Sequence, residues 1–349
     1  MIKPENLLIV RTDRIGDVIL SLPLAPIIKK HLPDCKITFL VREYTRPLVV
    51  NNPYIDNILT LEERNGKISL AANIRKVSKD NFDSAVIVYP TFLTALIIFL
   101  SRIKSRIGTG YRWYSLLFNL KIYEHRKYAT RHELEYNVNL LQHFGIEEEV
   151  NPGNVRFNLM PDQESLKRIE EILSETGINS YEPLIIIHPG SGGSAVDLPI
   201  EKFKFLVEKI INGLTRNIVL TGSASEIGLC ENIKVKPGIL NLAGKLTLAE
   251  MIALVSKCSI FIGNSTGPIH IAAALGKYTI GFYPLIPACS AKRWGPYTDK
   301  KIIFSPQIGC LDCTREQCIK LDCMNSIEVS EVFFGIEKIY KFIQAEWRN

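Results

Sequence analysis

Four polar turns hold most of the side chains able to do chemistry in this 349-residue chain: Arg11–Asp17, His188–Gly193, Thr221–Glu226 and Gly263–His270. Each follows a short apolar run. Asp17 comes directly after Gly16 and opens a helix. A carboxylate there is either an N-cap or a general base that takes a proton from an acceptor hydroxyl. His188-Pro-Gly-Ser-Gly-Gly193 is rich in small residues. Backbone N–H groups around His188, Gly190, Ser191, Gly192 and Gly193 can cradle a phosphate, or the glycines merely serve a turn that needs positive φ. In the stretch from Ile260 to Gly276, a strand leads through Gly-Asn-Ser-Thr-Gly into a helix opened by Pro268 and closed at Gly276. Ser265, Thr266 and Gly267 then lie at the positive end of a helix dipole, a seat for an anion such as a nucleotide diphosphate. His270, within the first turn, adds a donor or a positive charge. Glu226 suits a ribose hydroxyl, or is a surface carboxylate at a helix start.

These turns need elements to hold them. Apolar runs at 6–10, 36–41, 55–59 and 84–89 read as strands, alternating with helical patterns at 18–31, 46–51, 67–79 and 133–144, with an apolar segment at 91–100. Pro23 and Pro26 break the first of these helices. The alternation restarts with strands at 183–187, 217–220, 239–242, 259–262 and 279–282 and helices at 162–176, 200–214, 226–234 and 248–257. This is the pattern of two doubly wound α/β domains. The expected division is residues 1–160 and 161–326, with a final helix at 327–349 that returns to the first domain. Ligands are expected in the cleft between the domains, outside the strand C-terminal ends.

At 46% hydrophobic and 22% charged, the chain is globular, and 349 residues suit two cores better than one. Neither G-x-G-x-x-G nor G-x-x-x-x-G-K-[ST] occurs, which argues against a nicotinamide enzyme and a P-loop phosphotransferase. No apolar run approaches the length of a membrane span. The N-terminus lacks a signal-peptide pattern, so a cytoplasmic location is expected. The surplus of basic charge lies entirely in residues 1–160, with 22 Lys and Arg against 16 Asp and Glu. Its dense part, Arg102–Arg131, is ordinary surface or meets something acidic: a charged acceptor or an anionic membrane face. The apolar stretch 92–100 is either a buried helix or a segment lying against that membrane. Cys310, Cys313, Cys318 and Cys323 form a cluster that either packs a loop as thiols or holds a structural zinc, although its spacing is not a paired CxxC pattern.

Taken together, Arg11-Thr-Asp-Arg-Ile-Gly-Asp17-Val, His188–Gly193, Gly263–Gly276, Arg293-Trp-Gly-Pro-Tyr and the cysteine cluster resemble glycosyltransferase family nine, the ADP-heptose:lipopolysaccharide heptosyltransferases and their relatives. The resemblance covers nearly the whole chain in order. It implies the GT-B fold, two Rossmann-like domains with the acceptor on the first and the nucleotide-sugar on the second, and an inverting transfer that needs no metal or other cofactor. It puts the catalytic base on Asp17 and a nucleotide contact on Glu226. The Ser-Thr-Gly-x-x-His motif falls on Ser265, Thr266, Gly267 and His270.

Two departures stand out: Val196 replaces a basic residue near the donor phosphates, and Ser265 replaces a frequent Asp. Lys245 or Arg293 is the expected substitute cation. The expected partners are a nucleotide-sugar, most simply an ADP-sugar, and an acidic glycolipid or oligosaccharide held by Arg14, Arg106, Arg112 and Arg131. Peripheral contact with the cytoplasmic face of the inner membrane is a further expectation, and no nucleic acid is expected. The competing expectations are a GT-B nucleotide-sugar epimerase and a non-catalytic nucleotide-sugar binding protein.

Overall fold

The computed structural model describes residues 2–179, 181–234, 236, 238–308 and 314–348. The chain divides into two compact units. One comprises residues 1–126 and 133–160, the other 127–132 and 161–349. Each is built on a six-stranded parallel sheet. In the first, the strands run in the order 57–60, 36–41, 6–10, 84–87, 105–109, 120–122; in the second, 240–241, 218–220, 185–188, 260–264, 278–282, 301–304. Both orders are 3-2-1-4-5-6, the doubly wound arrangement. Its direction reverses between the first and fourth strands, and ligands of such sheets bind at that reversal.

The central strands are near-continuous Leu, Ile and Val because helices cover both faces of each sheet. Leu7–Val10, Ile185–Ile187 and Ile260–Ile262 are completely buried. Three of the strands that periodicity missed, Ser105–Thr109, Leu120–Ile122 and Lys301–Phe304, lie at or next to the edges of the two large sheets. One-sided or partial burial there leaves no long apolar run to read. Pro23 does split the predicted helix, into Ile15–Ile19 and Leu24–His31. Glu133–Phe144 starts as an α-helix and tightens to 3₁₀ geometry after Val138, ending at Gly145 with φ 75°.

The final helix, Val329–Arg348, corrects an expectation. Its apolar face (Val332, Ile336, Tyr340, Ile343) lies in the core of the second unit with Phe203, Leu206 and Ile210 of the helix Ile200–Gly213. A stripe repeating every three to four residues fixes that a face is buried, not which surface buries it. The segment Lys127–His132 also belongs to the second unit, although both its flanks belong to the first. Within that unit His132 Nε2 lies 2.8 Å from the Gly295 carbonyl oxygen, and its ring packs 4.7 Å from Tyr297.

Candidate active site

In the first unit the site grows from the end of the innermost strand, Asn6–Val10. Arg11, the next residue, is 1% exposed, and its N–H donates to the Leu40 carbonyl at 3.0 Å, continuing the sheet. Its guanidinium therefore points into a dry interior and needs carboxylates. Nε donates to Asp13 at 2.8 Å, Nη2 donates to Asp17 Oδ1, and Nη1 lies 3.9 Å from Glu133. Burial opposes the Arg11 charge, but the three carboxylates outweigh it and raise its pKa further. Glu133 also accepts from Arg126, and Arg126 reaches Asn137 Oδ1 at 3.1 Å. Asn137 donates to the Leu20 carbonyl and to Ser21 Oγ, while Ser21 Oγ donates to the Asp17 carbonyl. Asp17 is thus held at both its side chain and its backbone.

Asp17 is in the first turn of the helix Ile15–Ile19, not at its N-cap, which is Arg14. That removes the capping explanation. Its Oδ2 has no hydrogen-bond partner among the described residues, and the side chain is 17% exposed. A carboxylate fixed through one oxygen and open at the other can take a proton from a bound hydroxyl. Asp13 is in a different state. Burial, opposed by Arg11, pushes its carboxyl up to about 7. Tyr44 donates its hydroxyl to the Asp13 carbonyl, and the Tyr89 ring lies 5.9 Å from the Arg11 guanidinium. Residue type and spacing give Arg11 and Asp13 no role of their own beyond their turn, and Glu133 none at all. The available signal was an Arg immediately after a buried strand, which has to find carboxylates.

In the second unit, two of the predicted turns follow the strands 185–188 and 260–264, on either side of the reversal in strand order. They are bound together. Asn264, fully buried, donates to the Pro189 carbonyl at 2.5 Å and accepts from the Leu198 N–H at 2.9 Å. Ser194 Oγ lies 2.8 Å from both the Ser191 and the Ser265 carbonyl oxygens. Gly263 belongs here because a Cβ on it would sit 2.8 Å from the His188 carbonyl oxygen. Asn264 and Ser194 went unremarked in the sequence, since a small polar residue in a loop does not reveal what it ties.

The helix Gly267–Ala274 begins after Thr266 with Pro268 in its first turn, and the Thr266 side chain makes no capping bond. The N–H groups of Thr266, Gly267 and Ile269 consequently have no intrahelical acceptor. His270, the next residue, is buried, and its Nδ1 has no hydrogen-bond partner among the described residues. Burial, with a smaller contribution from His132, lowers the His270 pKa to about 3. Of the two roles open to this histidine, a donor or a positive charge, burial removes the second: the imidazole is neutral near pH 7. His188 is neutral too, lowered to about 4 by burial against a weaker opposing pull from Glu226, and its Nδ1 lies 3.0 Å from Thr221 Oγ1.

The glycine loop differs from the expected open cradle. Gly192 and Gly193 do take positive φ, 55° and 75°. Gly192 N–H, however, donates to Glu226 at 3.1 Å. A carboxylate therefore occupies an N–H group expected to face phosphate. Glu226 also accepts from Ser223 N–H at 2.7 Å and Ser223 Oγ at 2.8 Å. Burial disfavours its charge, but these donors outweigh it and lower its pKa. Gly190 lies against Glu226 so closely that a Cβ there would overlap its carboxylate.

The predicted cations separate. Lys245 Nζ donates to the Asn241 carbonyl at 3.1 Å, and Arg293 lies 5.0 Å from the Trp294 ring. Val196 packs into the apolar core, so no cation stands in that place. Arg106 spends its guanidinium on backbone carbonyls: Nε donates to Leu117 at 2.8 Å and Nη1 to Ile103 at 2.6 Å. That corrects its expected role in holding an acceptor. Arg14 and Arg112 are exposed in the first unit without an ion-pair partner among the described residues, whereas Arg131 belongs to the second unit. Cys310 and Cys313 lie outside the described residues. Cys318 and Cys323 are buried in the second unit's core. Among the described residues no group of three or more His, Cys, Asp or Glu is placed to hold a metal ion.

Comparison with known proteins agrees with this architecture. Residues 70–323 match the model of glycosyltransferase family 9 (heptosyltransferase). Lipooligosaccharide heptosyltransferase 2 of Haemophilus influenzae is 26% identical over 320 residues, covering 86% of this chain and 88% of that protein. The structure resembles a family 9 glycosyltransferase from Veillonella parvula, with TM-score 0.82 and 18% identity over 96% of this chain and 97% of the other. It also resembles the ADP-heptose lps heptosyltransferase II of E. coli, with TM-score 0.76 and 18% identity over 98% and 99%. The fold is accordingly GT-B, and the chain belongs to glycosyltransferase family 9, the heptosyltransferase family.

Proposed function

We propose that this glycosyltransferase moves a heptose from an ADP-sugar to a hydroxyl of a lipopolysaccharide-core acceptor, by a single inverting displacement that uses no metal. The observation that carries the reading is Asp17: fixed through Oδ1 by buried Arg11, open at Oδ2, at the C-terminal end of the innermost strand. The names of the relatives, lipopolysaccharide heptosyltransferases among them, supply the substrate classes.

In this mechanism Asp17 takes the acceptor hydroxyl proton as that oxygen attacks the anomeric carbon. The bond to the diphosphate breaks on the opposite face, and negative charge grows on the departing nucleotide. The free N–H groups of Thr266, Gly267 and Ile269 and the neutral His270 meet that charge. Glu226, already held by Gly192 and Ser223, has lone pairs left for ribose hydroxyls. Exposed Arg14 and Arg112 suit the acidic groups of the acceptor.

Asp17→Asn tests the assignment. General-base catalysis contributes about 10²- to 10⁴-fold, so turnover should fall by that order while nucleotide-sugar affinity, measured by calorimetry, holds. Turnover within a few-fold of the parent would remove Asp17 from the role. Full activity after exhaustive chelation is the expected result for a metal-free transfer, and activity restored only by added metal would refute that part.

A further inference from the structure

The helix Phe92–Leu100 has nine residues and no charged side chain. At 3.6 residues per turn, Phe92, Leu93, Leu96, Phe99 and Leu100 fall within about 120° of arc. Ala95, Ile97 and Ile98 point the other way and are fully buried in the first unit's core. The outward stripe has no such cover: Phe92, Leu93, Phe99 and Leu100 are all exposed.

The stripe is extended by the next short helix, Trp113–Leu117, which packs against it. Trp113 lies 4.8 Å from Phe92, ring centre to ring centre, yet is 72% exposed, and Leu116 is 71% exposed. Tyr111 and Tyr123, exposed and 5.5 Å apart, lie in the same stretch. An apolar surface of this extent is costly to leave in water and marks an interaction site.

Charge identifies the occupant. Residues 101–131 contain eight Lys and Arg and a single acid, Glu124. Arg102, Lys104 and Arg112 are exposed and pair with no carboxylate among the described residues. Aromatic and aliphatic tips ringed by uncompensated cations match the boundary of an anionic bilayer, where the rings sit at headgroup level and the cations meet phosphates.

We propose that this face, the stripe 92–100 with Trp113 and Leu116 and its rim of Arg102, Lys104 and Arg112, docks the first unit on an anionic phospholipid surface. The proposal deepens the assigned function and rests on that reading for one choice, a lipid surface over a protein, because a lipid-borne acceptor is presented there.

The test is flotation of the intact protein with vesicles of phosphatidylglycerol and phosphatidylcholine, without any substrate, so that failure of the transfer reading leaves it interpretable. Partition onto vesicles rich in phosphatidylglycerol should exceed that onto pure phosphatidylcholine by about tenfold or more and fall with added salt. Trp113→Ser with Leu116→Ser should remove most of it, as should Arg102→Glu with Lys104→Glu. Both variants should keep the parent's circular dichroism and its thermal shift with ADP, which reads the second unit. In the parent, brominated lipid should quench fluorescence that Trp113→Phe lacks. Equal partition of parent and variants, or no partition at all, overturns the proposal. So does a concentration-dependent dimer abolished by the same substitutions, which would make the face a contact between copies.

Discussion

Arg11 Nη2 donates to Asp17 Oδ1 across six residues of chain, and that bond fixes the proposed base before any substrate arrives. The guanidinium is 1% exposed and also serves Asp13 and Glu133, so one buried cation organises three carboxylates. A lone buried charge would be prohibitively costly, and the arrangement stands because each member neutralises another.

Arg11→Met retains bulk and removes the charge. The three carboxylates then lose their common partner, and breaking a buried pair in this way costs about 3–5 kcal/mol. Urea unfolding should report a loss of that order, along with loss of transfer. A variant that unfolds at the parental midpoint would show that the cluster contributes little to stability.

Two groups should bend the pH dependence of stability in opposite directions. The folded state raises Asp13 to about 7, above its value in the unfolded chain. The folded state then binds the extra proton, so this stabilisation is complete below pH ~4 and is lost as pH rises through about 7. The folded state lowers His270 to about 3, so its favourable contribution is complete above pH ~6.5 and is lost as pH falls toward that value. Relative to the parent, Asp13→Asn should gain stability between pH 4 and 7, and His270→Gln should lose less on acidification from pH 6.5. Denaturant midpoints across a pH series check both. Parallel curves for parent and either variant would reject that group's assignment.

Asn264→Ala deletes two of the bonds that tie the second unit's loops together, leaving the Pro189 carbonyl and the Leu198 N–H without partners. Orphaned buried groups cost about 1–3 kcal/mol each. The expected outcome is a clear fall in melting temperature together with weaker ADP binding, because the Thr266–Gly267 turn moves with this residue. Gly190→Ala should weaken ADP binding with a smaller stability loss, by pushing the Glu226 carboxylate aside. Unchanged ADP affinity in both would place the nucleotide elsewhere.

Much of this molecule is written in local pattern. Buried parallel strands need long Leu, Ile and Val runs, and polar turns directly after them mark the strand ends, so the doubly wound architecture and the positions of Asp17, Ser265–Gly267 and His270 are legible residue by residue. The motif order supplies the family. What the chain alone leaves open depends on residues far apart in sequence.

Burial decided that His270 is neutral and not cationic, and a desolvated imidazole cannot be told from a solvated one by its neighbours in sequence. Packing decided that Arg106 bonds backbone carbonyls, that Glu226 holds Gly192 of the glycine loop, and that the last helix lies on the second unit. The apolar stretch 92–100 left open whether it is buried or lies at a surface; the fold makes it half of each, because one side of a nine-residue helix fills the core and the other stays partly exposed. Sequence determines which groups are present and what each local segment prefers. Only the tertiary structure sets solvent exposure and distant partners, and on those depend charge state, basicity and which surface remains open to bind.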